Sequence, residues 1–146
     1  WMSMRVVKKY GGSSVATPEK IKNIAKHLIE RSRNNEEIVV VVSAMGKTTN
    51  ALIALAKEVV ENPNIRELDT LLSTGEQQSI ALLSMAINGL GGKAISLTGA
   101  QAGIKTAGIH TKNKIESINI QKIEKELKNG KIVIVAGFQG INEKGV

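Results

Sequence analysis

The sequence predicts an α/β fold, a three-layer αβα sandwich built around a mostly parallel sheet. The run at 38–42 is short, fully apolar and β-branched, which is typical of a strand buried on both faces, and the runs at 94–98 and 132–136 predict a second buried strand and another strand. Longer segments with apolar residues at helical spacing alternate with these runs. Because strand-helix-strand units connect parallel neighbours, the alternation predicts one parallel sheet covered by helices on both sides.

Length and composition agree with a single folded domain. The chain has 146 residues, of which 42% are apolar and 23% charged, which is ordinary for a globular protein. It contains no cysteine, so disulfides, thiolate metal sites and thiol catalysis are excluded, as would suit a cytoplasmic protein. No apolar run approaches the roughly 18 residues of a membrane span, and we expect no membrane partner.

The first strand, around Val6-Val7, leads into Lys9-Tyr10-Gly11-Gly12-Ser13-Ser14-Val15. Two adjacent glycines allow a tight turn and let a ligand approach the backbone. A helix then begins with a capping hydroxyl at Thr17 and a proline at its first position, Pro18. Backbone N–H groups and a lysine at a strand end suit an anion such as a nucleotide phosphate. A tight turn without a ligand is the alternative from these residues alone.

The first helix is predicted from Pro18 to about Arg33 and leads to the strand at 38–42. A second helix is predicted from Thr48 to Glu61 and ends at Asn62-Pro63. The apolar residues of each helix fall on one side, which is expected to be buried. Those of the first helix are Ile21, Ile24, Ala25, Leu28 and Ile29, and those of the second are Leu52, Leu55, Ala56, Val59 and Val60.

A third helical stretch is predicted from Glu67 to Leu90, with an interruption expected near Ser73-Thr74-Gly75. After Gly91-Gly92 come the strand at 94–98, a helix from Ile120 to Leu127 and the strand at 132–136. The four predicted strands all end in polar segments that contain glycine. Since ligands gather at the carboxyl ends of parallel strands, four such segments predict a common cleft.

Several familiar functions are excluded or disfavoured. Gly46-Lys47-Thr48 looks like the end of a P-loop, but the first glycine of that motif would fall at Val41. No Gly-x-Gly-x-x-Gly opens the first helix, which argues against a dinucleotide site. The formal net charge is +7, yet Trp1, Tyr10 and Phe138 are the only aromatic residues. We therefore expect no nucleic-acid partner, because single-strand binders stack bases on aromatic rings.

Five motifs resemble those of aspartate kinases, which belong to the amino-acid kinase family. They are Lys9–Val15, Ser43-Ala44-Met45-Gly46, Leu72-Ser73-Thr74-Gly75-Glu76, Gly99–Gly103 and Val135–Gly140. The resemblance covers residues 5–146. It implies the amino-acid kinase fold and transfer of the γ-phosphoryl group of ATP, with Mg²⁺, to the β-carboxylate of L-aspartate. That reaction is the first step towards lysine, threonine and methionine.

The resemblance also implies roles for individual residues. Lys9 would be catalytic and would neutralise charge on the transferring phosphoryl group. The nucleotide phosphates would be held by Lys9, Tyr10, Gly11, Gly12, Ser13 and Ser43. Glu76 would face the α-ammonium of aspartate and Thr49 would hydrogen-bond the substrate, although capping of the second helix by Thr48 or Thr49 is an alternative. No residue is predicted to ligate a metal directly.

The sequence departs from the family pattern at its end. We expect residues 1–4 to be extraneous and residues 5–146 to be the N-terminal part of a truncated kinase domain. The rest of that domain and the regulatory ACT domains would then be missing. The parent protein would be a cytoplasmic homo-oligomer, and this piece would be without turnover. The alternatives are a non-catalytic half-domain that binds aspartate or an anion, and another member of the amino-acid kinase family.

Overall fold

The computed structural model describes residues 4–102, 104–106, 115–118 and 120–137. Within them, four parallel strands form one sheet: β1 (Met4–Tyr10), β2 (Glu36–Val42), β3 (Ala94–Leu97) and β6 (Ile132–Ala136). Their order is β1-β2-β6-β3, with Val7 opposite Val39, Val41 opposite Val135, and Leu97 also opposite Val135. The last strand thus lies between β2 and β3 and brings the carboxyl ends of all four to one edge.

Four helices cover this sheet: α1 (Pro18–Ser32), α2 (Thr48–Val59), α3 (Ile65–Gly89) and α4 (Gln121–Lys128). The helices α1 and α3 pack against each other and against one face of the sheet, whereas α4 packs against the other face. The second helix, α2, lies mainly against α3. A short antiparallel pair, β4 (Ile104–Thr106) and β5 (Ile115–Ile118), precedes α4. The predicted α/β sandwich with helices on both faces is confirmed.

Two apolar clusters hold the layers together. The larger joins the buried stripe of α1 to the α3 residues Ile80, Leu83 and Ile87 and to alternate residues of β2 and β6. The smaller lies on the opposite face, where Leu127 of α4 meets Val133 and neighbouring strand residues. Since strand side chains alternate between faces, β2 and β6 contribute to both clusters. These central strands fix the layers on which the edge loops are built.

Three sequence expectations are wrong in detail. The helix α3 runs through Ser73-Thr74-Gly75 without a break, and the Ser73 and Thr74 hydroxyls donate to the carbonyls of Thr70 and Leu71 in the preceding turn, each at 2.7 Å. The helix α2 contains no fully buried residue, and its Val59 is 81% exposed. In the part of the chain that is described, β3 is an edge strand and is only half buried.

Candidate active site

The loops that follow β1 and β2 are locked together at the carboxyl edge of the sheet. The Ser43 N–H donates to the Tyr10 carbonyl at 3.2 Å, and the Gly46 N–H donates to the Gly12 carbonyl at 2.9 Å. A side chain at Gly12 would place its Cβ 3.0 Å from the Ala44 carbonyl oxygen. Gly46 has a φ of +40°, a conformation that favours glycine. Both glycines are therefore needed for the close approach of the two loops.

Positively charged side chains are placed at or beside these loops. Lys9, the next-to-last residue of β1, is exposed and forms no ion pair or hydrogen bond with the described residues. The Lys20 ammonium donates to the Ser13 carbonyl at 2.9 Å, which secures the glycine turn to α1. Lys47 is exposed immediately before α2. The arrangement of two backbone loops with adjacent lysines can hold an anion.

Tyr10 does not offer its side chain to this edge. The ring packs against the larger apolar cluster, and burial raises the pKa of the phenol. Its carbonyl oxygen already accepts the hydrogen bond from Ser43. Of the predicted phosphate-binding residues, Gly11 and Ser13 lie in the exposed turn, whereas Gly12 is half buried beneath it. Tyr10 thus has a structural role in seating the loop.

The first turn of α2 carries Thr48 and Thr49, both half buried. The expected hydroxyl cap is absent here, because Lys47 occupies the capping position and no side chain accepts a hydrogen bond from the helix start. The backbone N–H groups at the positive end of the α2 dipole are consequently not capped by a side chain of this helix. The hydroxyl of Thr49 makes no hydrogen bond with any other described residue.

Glu76 lies on α3 at the point where this helix meets α2. A Cβ at the preceding Gly75 would be 3.1 Å from Thr48 Cγ2 and 3.3 Å from Ala44 Cβ, so this turn of α3 adjoins the end of β2. The Glu76 side chain is only 7% exposed, and its Oε2 has no hydrogen-bond partner among the described residues. Burial raises the pKa of this carboxyl to about 8. At pH 7 the free chain therefore holds Glu76 mainly in its neutral form.

The four predicted motifs that follow strands lie at the carboxyl edge of the sheet, as parallel strands require. The segment after β6 is described as far as Gly137, whose N–H donates to the Val42 carbonyl at 2.7 Å. After β3, Thr98 and Gln101 close their turn through two reciprocal hydrogen bonds of 3.0 and 3.2 Å. Gly103 and Phe138–Gly140 lie outside the described residues.

Sequence reasoning missed two contributors to this edge. Lys20 carried no signal beyond its place near the start of α1, and its bond to the Ser13 carbonyl depends on the loop geometry. The sequence pattern around Gly75 predicts a helix break, whereas in the structure this glycine lies at a close contact between α3 and α2. A glycine inside a helical pattern is the sequence signal that could have indicated close packing.

The arrangement combines two complementary chemistries. Backbone amides and lysines at the loops after β1 and β2 favour a negatively charged group such as a phosphate. The buried carboxyl of Glu76 forms no ion pair within the part of the chain that the structure describes, and it favours a positively charged group such as an ammonium. Within the described ranges, no group of three or more acidic or histidine side chains is placed to hold a metal ion. No helix described in the chain is long and apolar enough to cross a membrane.

Comparison with known proteins gives consistent results. The sequence model of the amino acid kinase family matches residues 4–146. An aspartokinase from Bacillus sp. (strain MGA3) is 53% identical over 140 residues, which are 96% of this chain and 34% of that protein. The chain spans about a third of the length of the curated relatives it matches.

Solved structures show the same fold. The crystal structure of aspartate kinase from Synechocystis has a TM-score of 0.74 at 44% identity, covering 99% of this chain and 23% of that one. The structure of E. coli aspartokinase III in complex with aspartate and ADP has a TM-score of 0.75 at 22% identity, covering 98% and 42%. Because the E. coli protein is only 22% identical in sequence, its similarity to this chain shows the fold alone. The sequence-based resemblance to aspartate kinases is confirmed by the first.

Proposed function

The chain belongs to the amino acid kinase family, and from this premise we propose that it forms the amino-acid-binding and phosphate-binding part of an ATP-dependent aspartate kinase. The observation that carries the proposal is the burial of Glu76 beside the end of β2, with an Oε2 that has no hydrogen-bond partner among the described residues. Relatives about half identical in sequence are aspartokinases, which act on an amino acid with an ammonium group. Glu76 would pair with that ammonium.

The phosphoryl donor would bind at the neighbouring loops. Gly11, Gly12 and Ser13 would offer backbone N–H groups to the phosphates, and Ser43 would add a hydroxyl from the end of β2. Lys9, exposed and without an ion pair among the described residues, would neutralise charge on the transferring group. Gly12 lets the loops after β1 and β2 approach each other closely, because a Cβ there would lie 3.0 Å from the Ala44 carbonyl oxygen.

The reaction requires little from the protein besides binding and alignment. The β-carboxylate of aspartate is already ionised at neutral pH, so no general base has to deprotonate the nucleophile. The residues of this chain would hold the carboxylate and the phosphates close together and offset their charge repulsion. Mg²⁺ would enter with the nucleotide and screen the phosphate oxygens. Thr49, at the open start of α2, would donate a hydrogen bond to the amino-acid substrate.

The proposal is tested by calorimetric titration of the chain with L-aspartate at pH 7 in two buffers of different ionisation enthalpy. If the ammonium pairs with Glu76, the neutral carboxyl must ionise on binding and release close to one proton. The measured enthalpy would then depend on the buffer. Succinate, which lacks the ammonium, is the matched ligand and should bind weakly without releasing a proton. Equal affinities for the two ligands would contradict the pairing.

A second candidate function is binding without turnover. The chain spans about a third of the length of the curated relatives it matches, so most of their length has no counterpart in residues 1–146. A coupled assay of ADP release in the presence of aspartate and Mg-ATP separates the two functions. Aspartate binding without ADP release would indicate a substrate-binding part of a larger enzyme, and turnover would show that residues 1–146 suffice.

A further inference from the structure

Gly75 lies where α3 packs closely against the start of α2. A Cβ built on it would lie 3.1 Å from Thr48 Cγ2, 3.3 Å from Ala44 Cβ and 3.4 Å from Leu52 Cδ1. The first two distances are shorter than ordinary contacts between carbon atoms, and all three involve residues that follow β2. Even an alanine at this position would require the Thr48 side chain, Ala44 or the elements that carry them to shift by a few tenths of an ångström.

A second glycine of the same helix gives the opposite picture. A Cβ at Gly89, near the end of α3, would meet no atom within 4 Å. Both glycines are helical and reduce helix stability in the same way, because glycine loses more backbone entropy than alanine on folding. The close contact with α2 therefore distinguishes Gly75 from Gly89.

The residue next to Gly75 is the buried acid. Glu76 is 7% exposed, and the contacts of Gly75 show that the first turn of α2 and Ala44 pack against this turn of α3. We propose that Gly75 is a positioning residue, which lets α2 close on α3 and so keeps water away from Glu76 and fixes the width of the amino-acid site. The substrate part of this inference rests on the proposed function, whereas the part about water does not.

The test uses the complete 146-residue chain and four variants: Gly75→Ala, Gly89→Ala, Thr48→Ser and the double variant Gly75→Ala/Thr48→Ser. Thr48→Ser removes the nearest methyl group and retains the hydroxyl, so it should relieve the clash at Gly75. The readout that needs no ligand is the titration of the Glu76 carboxyl carbon, followed by NMR and assigned with Glu76→Gln. Unfolding temperatures confirm that each variant is folded.

Gly75→Ala should lower the pKa of Glu76 by about one unit or more, because a strained contact between α2 and α3 opens more often and then lets water reach the carboxyl. The double variant should recover most of that change, and Gly89→Ala should cause none. If Gly75→Ala does not fold, the double variant is compared with Thr48→Ser. The double variant should then show a smaller decrease in the pKa of Glu76, because the contacts of the new Cβ with Ala44 and Leu52 remain. A Glu76 titration that is the same in all folded variants would overturn the inference.

Aspartate binding then separates the inference from the proposed function. Gly75→Ala should weaken aspartate binding by about tenfold or more, since misplacement by a fraction of an ångström disrupts a fixed site, while binding of Mg-ATP changes less than about twofold. If the unsubstituted chain binds no aspartate but Gly75→Ala still shifts the titration, the proposed substrate is wrong and the positioning role stands. If aspartate binds equally to both chains, Gly75 does not determine the site.

Discussion

At the scale of single residues, Glu76 shows most clearly what a sequence can and cannot indicate. Its place in a motif of aspartate kinases predicted a role in substrate binding, but the motif gave no information on burial. In the structure α3 is continuous through Gly75 and packs against α2 at that point, and the neighbouring Glu76 side chain is buried. The sequence pattern instead predicted a break there, because Ser, Thr and Gly are weak helix formers. The hydrogen bonds from the Ser73 and Thr74 hydroxyls to the preceding turn are visible only in the structure.

The raised pKa of Glu76 leads to a prediction about pH and stability. The unfolded chain ionises this carboxyl near its ordinary pKa of 4.5, whereas the folded chain retains the proton up to about pH 8. Between these values the unfolded state binds fewer protons, so stability should fall as pH rises, by at most about 1.4 kcal/mol per pH unit. Urea unfolding at pH 5, 6, 7 and 8 measures this change.

Glu76→Gln provides the comparison, because the amide has nearly the same shape and does not ionise. Between pH 5 and pH 8 the free energy of unfolding of Glu76→Gln should rise relative to that of the original chain. A difference that stays constant with pH would show that Glu76 titrates normally in the folded chain.

Lys9 is the second residue whose role can be tested directly. The ammonium is exposed and makes no ion pair with the described residues, so its removal should leave the fold intact. A hydrogen bond to a charged group contributes about 1.5–3 kcal/mol, so Lys9→Ala should weaken Mg-ATP binding roughly 10- to 100-fold. Lys26→Ala, which removes an exposed lysine from α1, is the control in the same calorimetric titration. Equal effects of the two substitutions would indicate only a loss of general positive charge.

At the scale of helices and strands, the sequence predicts burial well where the element's own apolar pattern decides it. It predicts burial less well where neighbouring elements decide it. The buried stripe of α1 matches the predicted residues, and β6 spans the predicted run at 132–136. By contrast, α2 has an apolar side that the described residues leave exposed at Leu55, Val59 and Val60. Periodicity predicts which side of a helix is apolar, but it cannot show how much of that side finds a partner. The pair β4–β5 carried no strong pattern and was not predicted.

The start of α1 gives an element-scale prediction. Thr17 has extended backbone angles, and its hydroxyl accepts a hydrogen bond from the Lys20 N–H at 3.2 Å. Thr17→Ala removes this cap and should reduce the free energy of unfolding by about 1 kcal/mol, as measured by urea denaturation. Thr17→Ser retains the hydroxyl and should cost much less. If the serine and alanine variants were equally destabilised, the methyl group of Thr17 rather than the cap would be the stabilising feature.

At the scale of the whole molecule, the order β1-β2-β6-β3 explains why the four strand ends could be predicted to converge. Any parallel sheet places its carboxyl ends at one edge, so this part of the site required only the recognition of alternating strands and helices. The contact between α3 and the residues that follow β2 could not be predicted in this way. It joins residues about 30 positions apart through packing at Gly75, and no local pattern in the sequence encodes such a contact.

The same strand order leaves β1 at one edge of the described sheet. Among the described strands β1 pairs only with β2, and its Val7 is 68% exposed. Open edges with apolar side chains favour pairing between copies, while the net charge of +7 opposes it. We therefore expect the chain to self-associate more strongly as salt is raised, because salt screens the repulsion between copies.

Sedimentation velocity of Val7→Lys tests whether the β1 edge is the surface involved. A lysine there adds charge at the edge without removing a buried contact, so the variant should remain monomeric at salt concentrations at which the original chain associates. Val59→Lys is the matched control, since Val59 is 81% exposed but lies on α2, away from the sheet. If Val59→Lys abolished association and Val7→Lys did not, the copies would meet through the apolar side of α2. The open edge of β1 would then not be the contact.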